Sequence, residues 1–161
     1  MSEGRQASSN FVWPPLIYAL AAVAGLALTW IWPLPFPASM SPAIDWAIRI
    51  VGGVIFVGGA WLVTMAKRGF AEAGTPVRPT QPTAALVTDG LYRFTRNPMY
   101  LAGAIMMAGL GCAFLSGWFF LLAIVAMIAV YKLAIEREER YLTEKFGYAY
   151  TAYCSRVRRW L

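Results

Sequence analysis

Histidine does not occur in the 161-residue chain, and cysteine occurs twice. The first absence removes the commonest general base and metal ligand; no cluster of residues at metal-binding spacing remains, and no metal is expected. Two thiols make no redox framework either: Cys112 belongs near the far end of an apolar run and Cys154 in the C-terminal tail, so a disulfide between them is implausible. Charge is also scarce. Only 14% of residues are charged while 59% are hydrophobic, too apolar a balance for an ordinary soluble domain and the one expected of a membrane protein.

Four apolar runs, 16–32, 44–66, 99–115 and 118–135, stand against the roughly 20 residues that cross a bilayer. Three are slightly short, and flanking aromatic residues fill out the span. The first, behind a polar stretch with Arg5, is longer than a signal-peptide core and reads as an uncleaved helix. Acids are missing from the cores of the first, third and fourth runs, and Asp45 lies at the edge of the second. That disfavours a small proton-coupled exporter, which needs an intramembrane acid.

Basic residues are missing from two connections. Neither the 33–43 stretch nor the Ser116-Gly117 turn carries one, whereas Arg5, Lys67, Arg68, Arg78, Arg93, Arg96 and the basic residues from Lys132 onward fall on the other side. The asymmetry puts both termini and the middle loop in the cytoplasm, and a multi-pass protein of a bacterial inner membrane is expected. Arg49 stands outside the pattern, one turn after Asp45, placed to pair with it or to snorkel. The formal charge of +6 then reads as topology and affinity for anionic lipid, with no nucleic-acid partner.

The expected architecture is all-α and integral to the membrane. Four transmembrane helices cover about 14–32, 44–66, 98–115 and 118–145, with a cytoplasmic loop 67–97 and an amphipathic cytoplasmic tail 146–161 capping a single membrane domain. Gly52-Gly53 and Gly58-Gly59 have no strand before them and lie inside a membrane run, so they serve close helix packing rather than a nucleotide loop. Gly103, Ala104, Ala108 and Gly109 do the same on the third helix. Pro76, Pro79 and Pro82 interrupt helix in the middle loop, which is long enough to be functional. The short Ser116-Gly117 turn makes the third and fourth helices an antiparallel hairpin.

Two stretches stand out from this frame. In Arg96-Asn97-Pro98-Met99-Tyr100, Pro98 suits the first helical position and Asn97 the N-cap. The free N–H groups of that helix start, between Arg93 and Arg96, could hold an anionic ligand group, or the arginines could be interfacial anchors alone. The second stretch is 132–142. On a continuing helix, Glu138 has Ala134, Ile135, Tyr141 and Leu142 one turn away, so it is a carboxylate on an apolar stripe that needs a cationic partner: a ligand, or a loop arginine such as Arg93 or Arg96. Glu136, between Lys132 and Arg140, reads as a solvated ion-pairing residue. The tail alternates Phe146, Tyr148, Tyr150 and Tyr153 with Arg156, Arg158, Arg159 and Trp160, a composition for a helix lying on the membrane surface, and Gly147 breaks the helix before it.

The segment LVTDGLYRFTRNPMY, the hairpin, Glu138-Glu139-x-x-Leu142 and Phe146-Gly147-x-x-Tyr150-x-x-Tyr153 occur in this order over 74–160. Together they resemble the isoprenylcysteine carboxyl methyltransferase and phospholipid methyltransferase superfamily. The resemblance implies an integral membrane enzyme that uses S-adenosylmethionine without a dinucleotide-binding fold and acts on a lipid or lipidated small molecule; no protein partner is indicated. By the same resemblance the cofactor site falls on Leu86, Val87, Tyr92, Arg96, Asn97, Pro98, Met99, Tyr100, Glu138 and Glu139. The carboxyl methyltransferases have histidine where Asn97 stands, and an arginine where Ala134 stands to orient the acceptor carboxylate. Arg137 or Arg156 are the candidates to replace that arginine, and an amine acceptor would need a base, for which Glu139 or a tyrosine is available. The acceptor is therefore a prenylcysteine-like carboxylate or a phospholipid amine. The alternatives are a nicotinamide-dependent sterol or enone reductase of related architecture and a non-enzymatic assembly protein.

Overall fold

The computed structural model describes residues 13–35, 41–74 and 85–161. Arg5, Arg78, Pro76, Pro79 and Pro82 lie outside them. Among the described residues the chain is helical and forms no strand: α1 Pro14–Ile31, α2 Pro42–Glu72, a short 3-10 turn Gly90–Arg93, α3 Pro98–Phe114, α4 Trp118–Val130, α5 Glu136–Phe146 and α6 Tyr148–Cys154. A π-helical turn, Tyr131–Ile135, joins α4 to α5, so 118–146 runs as one rod. This rod, α1 and α2 are long and apolar enough to cross a membrane; α3, at 17 residues, is shorter.

Prolines open the first three long helices, where a missing N–H costs nothing. Ser41 adds a cap to α2, its Oγ accepting from the Ile44 amide at 3.3 Å. Asn97 does not cap α3 as its type suggests: its side chain makes no cap hydrogen bond and is engaged by the tail instead. The second helix also runs past residue 66 to Glu72, so Lys67 and Arg68 are helical rather than in a loop. No proline or glycine pair stops it there, and the extra turns carry Phe70 to the site described below.

Helix α2 lies on α3, and glycines set how closely. A Cβ at Gly52 would stand 2.6 Å from the Gly109 carbonyl oxygen, and one at Gly109 would stand 2.6 Å from the Phe56 amide. Gly53 and Gly58 face open space instead, so only one member of each glycine pair serves the packing. Helix α1 packs against α4 and α3; Tyr18 lies on Gly103, and its hydroxyl donates to the Tyr100 carbonyl at 2.8 Å. The core is Met107, Phe119 and Ala123 in one layer and Val130, Ala134 and Ile135 in the next, with Tyr18 touching both. Large apolar side chains elsewhere face outward, Trp30, Val54 and Trp61 among them, as a lipid-facing surface requires.

The α3–α4 turn is tied to the end of α1. Leu115 adopts the left-handed conformation that ends α3, the Gly117 amide donates to the Leu34 carbonyl at 2.7 Å, and Thr29 Oγ1 donates to Ser116 Oγ at 2.7 Å. Near this end Arg49 donates from Nη1 to the Ala113 carbonyl at 2.7 Å. The guanidinium thus satisfies an α3 carbonyl in addition to anything it does with Asp45.

Candidate functional site

At the opposite end, five segments converge on one cavity: Phe70 of α2, Ala85–Val87 in 85–87, Tyr92 with Arg96 and Asn97, then Ile135, Glu138, Glu139 and Leu142 of the long rod, and Tyr150 and Tyr153 of α6. The enclosed space is about 50 Å³. Small-molecule sites hold roughly 300–1,000 Å³, so a nucleoside-sized ligand fits only as these walls move apart.

Glu138 and Glu139 are adjacent in sequence and meet different partners. Glu139 is saturated by arginine: Arg159 donates from Nε to Oε1 at 2.9 Å and from Nη2 to Oε2 at 2.8 Å, and Arg96 Nη1 is 3.2 Å from Oε1. Glu138 accepts from the Tyr100 hydroxyl at 3.1 Å, and among the described residues no cation lies within 4.0 Å of its carboxylate. The loop arginine that was one of the two alternatives for Glu138, Arg96, is thus found on Glu139, because the helix turns about 100° per residue and points the second acid at the loop. Glu136 pairs with Lys132 at 2.8 Å on the solvated side, as the spacing predicts.

Two polar atoms in this neighbourhood are buried with no hydrogen-bond partner among the described residues, the Tyr92 hydroxyl and Arg96 Nε. Tyr92 is 5% exposed. Burial, and after it the nearby Glu138, push its phenol well above the usual value, so it is neutral and able to donate. Its ring meets Phe70 edge-on with centroids 5.4 Å apart. Such orphans are uncommon in buried positions.

The tail forms a short helix, as its composition suggests, with one face turned inward on the site. Gly147, at φ +50°, turns the chain back, and the three-residue spacing of Tyr150 and Tyr153 puts both on the inner face of α6. Tyr153 donates to the Tyr92 carbonyl at 2.7 Å. Burial raises the Tyr153 phenol to about 12 and the Tyr150 phenol further. Beyond α6, the Arg158 carbonyl accepts from the Arg96 amide at 3.0 Å, the Arg159 carbonyl accepts from Thr95 Oγ1 at 3.1 Å and Asn97 Nδ2 at 3.0 Å, and Trp160 packs on Val130, Ala134 and Ile135.

Of the residues expected here, Leu86, Val87, Tyr92, Arg96, Asn97, Glu138 and Glu139 line the cavity. Tyr100 reaches it through Glu138; Pro98 and Met99 build the helix start without lining it. Arg137 and Arg156 are exposed and outside the lining, Arg156, in the turn after α6, donating to the Ala152 carbonyl. Arg93 is likewise exposed and outside it. Sequence reasoning passed over Phe70, which followed from ending α2 too early, and Arg159, which carries no local signal beyond its charge.

A family model described as phospholipid methyltransferase matches residues 47–149, more than half of the chain, and ends ahead of the 158–160 segment. Among curated proteins, the chain is 26% identical over 160 residues to Delta(14)-sterol reductase LBR of Gallus gallus. That match covers 94% of this chain and 24% of the chicken protein, so the chain spans about a quarter of the length of its curated relative.

Proposed function

From the premise that the chain belongs to the phospholipid methyltransferase family, we propose that it transfers a methyl group from S-adenosylmethionine to the amine of a lipid at the membrane surface. The observation that carries this reading is the pairing pattern of the two acids: among the described residues, Glu139 is neutralised by two arginines while Glu138 meets only a hydroxyl. An acid so placed fits the cationic amino end of the cofactor. The orphaned Tyr92 hydroxyl and Arg96 Nε fit its carboxylate, beside the free N–H groups where α3 begins. When bound, the cofactor supplies an electrophilic methyl on a sulfonium. The chain's part is to hold donor and acceptor in line and to keep water out, with Phe70, Leu86, Val87, Ile135 and Leu142 as the apolar wall.

The acceptor reading rests on what the lining lacks. Neither Arg137 nor Arg156 reaches the cavity, Ala134 is buried in the core, Arg159 is committed to Glu139, and Arg96 to Glu139 through Nη1 and, in this reading, to the cofactor's carboxylate through Nε. Among the described residues no spare guanidinium remains to orient an acceptor carboxylate, which favours the amine. Glu139, held by both arginines, is not available as the base, so in this reading the ammonium headgroup gives its proton to solvent water before the neutral amine attacks the methyl. In this reading the chain is one membrane domain of four spans, α3 included, with both termini and the site on the cytoplasmic face; the lipid reaches it sideways and the cofactor from water.

Similarity to a sterol reductase favours a second reading, reduction of a lipophilic enone or diene with NADPH. Incubating the purified protein in phosphatidylethanolamine vesicles with methyl-labelled S-adenosylmethionine tests the two together. Label in the lipid headgroup is the expected result. No transfer, with NADPH oxidised on addition of a sterol diene, replaces it with the reductase.

A further inference from the structure

The tail segment at 158–160 makes a set of contacts that a membrane anchor does not need. Its two backbone carbonyls hold the Arg96 amide, Thr95 and Asn97; the Arg159 fork holds both oxygens of Glu139, and the same guanidinium lies 5.0 Å over the Tyr131 ring. Arg159 does not itself line the cavity. It is joined to both walls that do, the loop before α3 and the acid-bearing face of α5.

We propose that Arg159 is a positioning residue for the cofactor site, clamping Glu139 and the 95–97 loop so that Glu138 alone is left for the ligand's cation; this rests on the methyltransferase reading. A planar guanidinium fork fixes the direction of a carboxylate as well as its charge, and an ammonium fixes only the charge. Without the fork, Glu139 keeps Arg96 as its partner and one carboxylate oxygen is released. That oxygen then competes with Glu138 for a cation and draws Arg96 away from its place in the cavity wall. The loss falls on ligand binding, through Glu139 and Arg96, and not on the in-line transfer itself.

The test is calorimetric titration of the full chain in lipid nanodiscs with S-adenosylhomocysteine, with methyl-transfer kinetics alongside, for wild type, Arg159→Gln, Arg159→Lys, Glu139→Gln and the double variant Glu139→Gln/Arg159→Gln. Arg140→Gln, an equal charge change at an exposed position outside the lining, serves as control. The expected result is a Kd raised roughly tenfold in Arg159→Gln, a smaller rise in Arg159→Lys, a double variant no weaker than either single one, and kcat at saturating cofactor within about twofold of wild type. Arg140→Gln binds as wild type. Should Arg159→Gln not fold, Arg159→Lys decides, with a rise of about threefold or more expected. Variants at position 159 that bind as tightly as wild type, or that lose kcat as much as affinity, overturn the proposal while leaving the methyltransferase reading intact. A wild type that does not bind at all overturns both.

Discussion

The Tyr100 hydroxyl donates to Oε2 of Glu138 at 3.1 Å, joining the first turn of α3 to α5. Tyr100 is itself held from α1, whose Tyr18 donates to its carbonyl at 2.8 Å. Three helices thus fix one carboxylate. Tyr100→Phe leaves Glu138 without that donor, and a largely buried acceptor left unpaired costs about 1–3 kcal/mol. Thermal unfolding of the variant should show that loss in the free protein, and a smaller difference from wild type once S-adenosylhomocysteine is present to supply a partner. An equal difference in both conditions would place Glu138 away from the ligand.

The pairing of Glu139 with Arg159 and Arg96 should be visible in stability alone. Glu139→Gln removes charge-assisted bonds from both guanidinium groups and lowers unfolding stability by about 2 kcal/mol. Glu136→Gln breaks only an exposed, solvent-screened pair with Lys132 and leaves unfolding stability close to that of wild type. Denaturant unfolding of the two variants in the same detergent makes the comparison.

The pH response at the alkaline end follows from Tyr153. Burial raises its phenol from 10.0 to about 12, so the folded state holds the proton more tightly than the unfolded chain. Its contribution is complete below pH 10 and is lost as pH rises through about 12. Wild type should therefore lose stability over that window, and Tyr153→Phe should lose less there while starting about 1 kcal/mol lower at neutral pH, where the bond to the Tyr92 carbonyl is missing. Unfolding midpoints taken between pH 8 and 12 report both effects.

Neighbouring glycines on α2 should respond oppositely to the same substitution. An added methyl at Gly52 meets backbone atoms of α3, which cannot swing aside, and Gly52→Ala should cost roughly 1–3 kcal/mol and weaken activity by shifting Phe70. Gly53 has nothing within 4 Å, and Gly53→Ala should be neutral or gain up to about 1 kcal/mol from helix propensity. Thermal stability of the two single variants settles it.

Hydropathy was enough to read the helical frame, since crossing a bilayer demands long apolar runs, and Pro14 and Pro98 stand in the first turns where the sequence placed them, whereas α2 starts at Pro42, ahead of the 44 expected. The end of α2 was harder to read, because Lys67 and Arg68 signal an interface rather than a helix stop. Glu138 stood out because an acid on an apolar stripe breaks a local rule. The pairing of Glu139 was not legible for a physical reason: its partners, Arg96 and Arg159, lie 43 and 20 residues away and are set by tertiary packing. The tail misled most. Alternating aromatic and basic residues suit a membrane surface, yet Gly147 folds Tyr150, Tyr153 and Arg159 inward, and composition carries no sign of direction.

Calorimetric titration of wild type and Glu138→Gln with S-adenosylhomocysteine bears most directly on the role of Glu138. Saturable wild-type binding, with the variant folded and weaker by roughly 30-fold or more, is the expected result, since a charge-assisted contact in a dry site carries that much. Equal binding by the two proteins would contradict it and remove Glu138 from the cofactor site.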